Sequence, residues 1–260
     1  MNQKNLEKEI HSLKMPFFGF LMDIGINNFK DPHYFNTGTL FWSLTRLFEC
    51  YYRIIFSIQN NKKQRPIFLE NDLEYFIIRH NIIMNDIAFL IRKFYPKNLP
   101  KMPNPKGSVH PMNKEQSFND MCNFFIEKNP SYHTELTQSF EKFKTLIFKE
   151  MRIRREDIIH YKAKAFVFGD DNLSFAFIDP GNTTPTISTK DGGQRIVTKS
   201  IYEFINKIMI ETLNFINIEL TSIYKKYAEE KKLKFSGLFD STKISCIGIN
   251  LYKTLNNVKE

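Results

Sequence analysis

Apolar residues recur at three- and four-residue spacing over four long stretches, and this periodicity constrains the fold more than any other feature. From about Thr39 to Gln59 the stripe is Leu40, Leu44, Leu47, Tyr51, Ile54, Ile55 and Ile58; from about Asp72 to Tyr95 it is Leu73, Phe76, Ile83, Ile87, Leu90 and Phe94. A third runs from about Tyr132 towards Ala165 on Leu136, Phe140, Phe143, Ile147 and Met151. The fourth starts at Ser200 and runs to about Lys232 on Ile201, Phe204, Ile208, Leu213, Ile216, Leu220, Ile223 and Tyr227. Each stripe fits one face of an α-helix. With 26 Phe and 10 Gly in 260 residues, the chain has much to bury, and one of this length buries roughly three quarters of its unfolded surface.

Start signals support these helices. Asn71 or Asp72 is placed to cap the second helix, Ser200 and Glu203 form a capping box for the last, and Ser117 with Asp120 marks a shorter helix between. Five of the eleven prolines lie between Pro96 and Pro111, which predicts a surface loop. The pattern changes between residues 166 and 198: short runs at Phe166-Val167-Phe168, Leu173 to Ile178 and Arg195-Ile196-Val197 are separated by turn sequences such as Asp179-Pro180-Gly181-Asn182. The expectation is a mainly α protein in one domain, a bundle of four to five helices with a small β-ribbon near residues 166–198.

The three cysteines, Cys50, Cys122 and Cys246, are odd in number and far apart, which argues for a reducing compartment. The first ten residues mix acids with bases and lead into no apolar run, so no signal peptide is expected. No stretch reaches the ~18 uninterrupted apolar residues of a membrane span. A cytoplasmic protein is the expectation, and the net charge of +9 makes a polyanionic partner plausible. The sequence holds no HExxH, paired CxxC, EF-hand loop or GxSxG elbow, and Asp191-Gly192-Gly193 lacks the spacing of a phosphate-binding loop. No metal or cofactor is expected.

Charge concentrates near the end of the third helix. Residues 142–164 carry eight bases (Lys142, Lys144, Lys149, Arg152, Arg154, Arg155, Lys162 and Lys164) against Glu150, Glu156 and Asp157, an excess of +5. His160 follows Arg155 by five positions. A continuous helix sets Lys149, Ile153, Glu156, His160 and Lys164 on one face, opposite the core stripe, with Arg155 about 140° around from His160. In the second helix His80 falls on the apolar stripe and reads as a hydrogen-bonded interior histidine; Arg79, Asn81 and Asn85 are candidates to orient the basic helix, since buried polar groups need partners. Tyr161, Phe166 and Phe168 lie beside the bases and suit stacking on single-stranded nucleic acid.

A basic helix ending in Arg155-x4-His160, inside a helical chain of this size, resembles the HEPN superfamily, whose Arg-x4–6-His motif marks many metal-independent ribonucleases. The resemblance covers about residues 39 to 232. It implies RNA as substrate, His160 as acid/base and Arg155 as phosphate stabiliser, with Arg152 or Arg154 as substitutes and Lys149, Lys164 and Tyr161 along the RNA. It also implies a homodimer whose two-helix interface builds the site, and a place in RNA-targeting defence or beside a nucleotidyltransferase-like antitoxin. The sequence departs from the family at Glu156, where a neutral polar residue or Asp is common; its carboxylate stands four residues before His160 and competes for Arg155. Arg155 and His160 meet if the helix bends, if the Arg side chain reaches round, or if a partner subunit supplies the Arg. Two other classes stay open: a non-catalytic helical module binding RNA or a protein, and a purely structural oligomerisation domain.

Overall fold

The described parts of the four apolar stripes fold as helices around one continuous core in a computed structural model, which describes residues 33–60, 67–94, 102–103, 109–110, 117–128, 134–160, 163–169, 173–178, 186–188, 194–222, 225, 229 and 232; Ile223 and Tyr227 of the last stripe lie outside them. Helix α1 (His33–Asn60) and α2 (Ile67–Phe94) pack along their length. A short α3 (Phe118–Asn123) continues into a π-helical turn, Phe124–Lys128. Then α4 (Thr134–Phe143), a π-helical turn (Lys144–Phe148) and α5 (Lys149–His160) follow without a break in numbering. After the β strands, α6 (Ile201–Asn214) runs into a third π-helical turn, Phe215–Leu220. Residues 225 and 229 are helical, and Lys232, at φ 52°, returns its N–H to the Glu229 carbonyl, so a turn falls at the expected end.

Local signals explain some of these boundaries. Ser117 and Asp120 form the expected reciprocal box: the Ser117 hydroxyl accepts from the Asp120 N–H, and the Asp120 carboxylate accepts from the Ser117 N–H at 3.0 Å. The Ser200 hydroxyl likewise accepts from the Glu203 N–H at 3.3 Å. Helix α2 begins at Ile67, four residues before Asn71 and five before Asp72, the two expected caps. Asn71 and Asp72 lie inside it, and Asp72 pairs with Arg53 of α1 instead.

The π-helical turns serve the core. In α spacing, residues five apart diverge by about 140°; an i→i+5 turn brings them to one side. Phe143 and Phe148 are thereby both buried, and Phe118 packs edge-on against both, at 6.0 and 4.8 Å between ring centres. Phe215 stacks on Phe143 at 4.5 Å from the start of the third π turn. Periodicity alone selects Ile147 there and misses Phe148.

Strands β1 (Met102–Pro103) and β2 (Val109–His110) pair antiparallel inside the proline-rich segment expected as loop. The ribbon is larger than expected and starts earlier. Strand β3 (Lys164–Phe168) pairs β4 (Ser174–Ile178), which pairs β7 (Lys199–Ser200), and β5 (Thr186–Ser188) pairs β6 (Gln194–Ile196) separately. Lys164 and Ala165, expected on the third helix, therefore belong to a strand. The burial of β3 alternates, with Ala165 and Val167 inward and Lys164, Phe166 and Phe168 outward. Its free edge lies on α2: the Ala165 N–H donates to Glu74 and the Val167 N–H to Glu70, each at 3.0 Å. Two acids one helical turn apart (~6 Å) match two amides two strand residues apart (~6.7 Å). The fold is mainly α with a small antiparallel sheet.

Candidate functional site

Helix α5 carries the charge concentration and holds only Met151 fully in the core. A segment so polar keeps helical form through pairs one turn apart. Arg152 Nε donates to Glu156 Oε1 at 2.9 Å, and Arg154 lies 3.6 Å from Asp157 Oδ2. The helix closes where the Ala163 N–H returns to the Asp157 carbonyl at 3.0 Å, leaving His160 as its last residue.

Three contacts orient α5. The Asn81 amide of α2 donates to the Met151 carbonyl and to its own Ile77 carbonyl, both at 3.2 Å. The Arg154 guanidinium lies over the Phe177 ring of β4 at 5.3 Å, and Glu150 pairs with Lys199 of β7. Asn81 thus touches the basic helix. Asn85 does not: its Oδ1 accepts from the Phe118 N–H at 3.1 Å and fixes the start of α3. Arg79 also turns elsewhere, over the Tyr75 ring at 4.6 Å, with its Nε buried and unbonded.

The face opposite Met151 carries Lys149, Ile153 and His160, all exposed. Arg152 and Glu156 flank it and neutralise each other. Lys164 is removed from this face to β3, where its Nζ lies 3.3 Å from Glu74. Tyr161 lies outside the described residues. Folding brings two carboxylates from outside the segment to its bases, Glu74 to Lys164 and Glu127 to Lys144, whereas Glu70 reaches only the Val167 backbone N–H. Of the three arginines on α5, Arg155 alone has no carboxylate partner among the described residues; it is half-buried.

Residues 149–160 are regular α-helix, and the π turn lies before them. A bend between Arg155 and His160 is therefore excluded, and the two side chains leave the helix about 140° apart. Within one chain the helix does not bring them together; a long Arg side chain or a second subunit must do so.

His80 is wholly buried, with Nε2 2.9 Å from the Thr212 hydroxyl and its ring stacked on Phe143 at 6.3 Å. Burial lowers its pKa from 6.5 to about 3, so it is a neutral interior histidine, as its place on the stripe implied. Cys50 and Cys122 are buried thiols held protonated by desolvation, Cys50 pushed up to about 12. Cys246 lies outside the described residues. Among the described residues no three His, Cys, Asp or Glu side chains form a group able to hold a metal, and no helix is long and apolar enough to cross a membrane.

Sequence reasoning missed Glu70, Glu74, Phe177 and Lys199 as partners of the segment. The spacing of Glu70 and Glu74 on one flank of an apolar helix was the available signal. No protein-family model, curated protein or solved structure matches this chain.

Proposed function

We propose that the chain is a metal-independent endoribonuclease of HEPN type, acting as a cytoplasmic homodimer, with His160 moving the proton and Arg155 binding the phosphate. One observation carries this reading. Helix α5 ties Arg152 and Arg154 to carboxylates of its own and leaves Arg155 without one, while His160 ends the same helix in solvent. The two residues of the sequence motif are thus available to a ligand, and their neighbours are occupied.

In the reaction, neutral His160 takes the proton of an RNA 2′-hydroxyl. The 2′-oxygen then bonds to the adjacent phosphorus, and the bond to the 5′-oxygen breaks. That oxygen leaves with a proton from an imidazolium or water, giving a 2′,3′-cyclic phosphate and a 5′-hydroxyl. Arg155 stabilises the charge growing on the non-bridging oxygens. The ~140° divergence of the two side chains favours a site in which Arg155 comes from one subunit and His160 from the other. By the same resemblance, an RNA-targeting defence system or a toxin held by a nucleotidyltransferase-like antitoxin is the setting.

A second reading, a non-catalytic module binding RNA or a protein, is favoured by the same divergence and by the carboxylate pairing of Arg152 and Arg154 on α5. Incubating the protein with labelled mixed-sequence RNA in EDTA separates the two. Cleavage by the wild type, reduced about 10²–10⁴-fold in His160→Ala, is expected. Equal cleavage by both proteins would remove His160 from the site, and salt-dependent binding without cleavage would favour the module.

A further inference from the structure

Strand β3 turns Phe166 and Phe168 outward, and they are 41% and 37% exposed. Their direct partners across the ladder are small, Ala176 and Ser174, and the large β4 side chain on this face, Ile178, stands opposite Lys164. Two residues apart on a strand, they stand about 6.7 Å from one another on one face, and Lys164 continues the same row. The strand beneath is held on both edges, by β4 on one side and by Glu70 and Glu74 on the other. The rings are therefore presented on a fixed support and need little ordering when something binds.

The size of the patch selects the partner. Phenylalanine presents at most ~150–250 Å², so the two rings expose on the order of 150 Å², against ~800 Å² per partner in a stable protein interface. Planar groups one ring wide fit such a surface, and outward aromatics on small sheets stack unpaired bases. Charge gives the direction. Lys164, its side chain 63% exposed and its Nζ 3.3 Å from Glu74, lies at the end of the row nearer α5, whereas Phe168 is followed in the chain by Gly169, Asp170 and Asp171. A polyanion is favoured towards α5, where Lys149 and Arg155 have no carboxylate partner among the described residues. Phe166 follows His160 by six positions, a span of at most about 21 Å.

We infer that the outward face of β3 binds single-stranded RNA, with unpaired bases stacked on Phe166 and Phe168 and the backbone passing Lys164 towards His160. This rests on the reading of the chain as a protein acting on RNA, and it makes unpaired RNA rather than duplex the substrate class.

The test uses the full chain carrying His160→Ala, so that the probe survives, and a fluorescein-labelled unstructured RNA 12-mer beside the same sequence as duplex. Replacing both rings by Leu keeps apolar bulk and removes the aromatic faces. The expected result is single-strand affinity at least about tenfold weaker, with duplex affinity, thermal midpoint and the salt slope of binding unchanged, and recovery in the Phe166→Tyr/Phe168→Tyr variant. Unaltered single-strand affinity in the Leu variant overturns the platform, as does a parent protein that prefers the duplex or binds neither probe. If the platform result is obtained but the protein without His160→Ala cleaves nothing, the nuclease reading fails and the platform stands.

Discussion

The imidazole Nε2 of His80 lies 2.9 Å from the hydroxyl of Thr212, joining α2 to α6 through the aromatic core where Phe143 stacks on Phe215. The ring has no contact with water, and burial depresses its pKa from 6.5 to about 3. The native state therefore holds it neutral, whereas the unfolded chain protonates it near pH 6.5. Because the unfolded state binds the extra proton, stability is complete above pH 6.5 and falls as pH drops towards 3. At ~1.4 kcal/mol per unit the loss is on the order of 4 kcal/mol across that window. Urea unfolding between pH 7 and 4 should show this slope, and His80→Gln, which keeps a hydrogen-bonding group, should flatten it. An equally steep profile in the variant would place the acid sensitivity elsewhere.

The contact between Glu74 and the Ala165 N–H yields a second prediction. Glu74→Ala leaves a buried backbone donor without a partner, which costs about 1–3 kcal/mol. Glu70→Ala should cost less, because its bond to Val167 is only partly buried and water can replace it. Glu74→Gln retains an acceptor and should fall between the wild type and Glu74→Ala. Chemical denaturation gives the order. Losing both acids bares the β3 edge, so Glu70→Ala/Glu74→Ala should also associate at high concentration, visible as a rise in scattered light.

Asn81 and Asn85 lie four residues apart on α2 but hold different elements, and their variants should behave differently. Asn81→Ala removes the bond to the Met151 carbonyl and frees α5 to shift, so RNA cleavage should fall by more than the loss of stability, about 1 kcal/mol, explains. Asn85→Ala loosens the start of α3 and should lower the thermal midpoint with cleavage per folded molecule unchanged. Equal effects on cleavage would mean that Asn81 does not position the helix.

The parts of this architecture that the sequence disclosed are those written in nearby residues. The Ser117–Asp120 box, the buried stripes and the interior place of His80 each follow from spacing of one or two turns. What it hid depends on long-range pairing. Asn71 or Asp72 reads as a cap, but both lie inside α2, which starts at Ile67, and Asp72 pairs with Arg53 from α1. No Pro or Gly follows His160 to mark the end of α5. The alternation of Lys164 to Phe168 becomes a strand only because β4, Glu70 and Glu74 satisfy its two edges. The π turns answer to the packing of Phe118 between Phe143 and Phe148, which no local pattern encodes. At the candidate site the Arg155–His160 motif was visible, but the pairing of Arg152 and Arg154 that sets Arg155 apart was not.

The ~140° between Arg155 and His160 on a regular helix permits a test of how the site is assembled. Arg155→Ala and His160→Ala should each cleave RNA at least about 10²-fold more slowly than wild type. Mixed and allowed to exchange subunits, they form dimers of which half contain one chain of each kind. If a site takes Arg155 from one chain and His160 from the other, every mixed dimer holds one complete site and one doubly empty one. The mixture should then recover about a quarter of the wild-type rate. If instead the Arg side chain reaches round its own helix, neither chain of a mixed dimer is complete and the mixture stays as slow as its parts. A cleavage time course at equal total protein, with exchange verified by differently sized tags, decides between a shared site and a single-chain one.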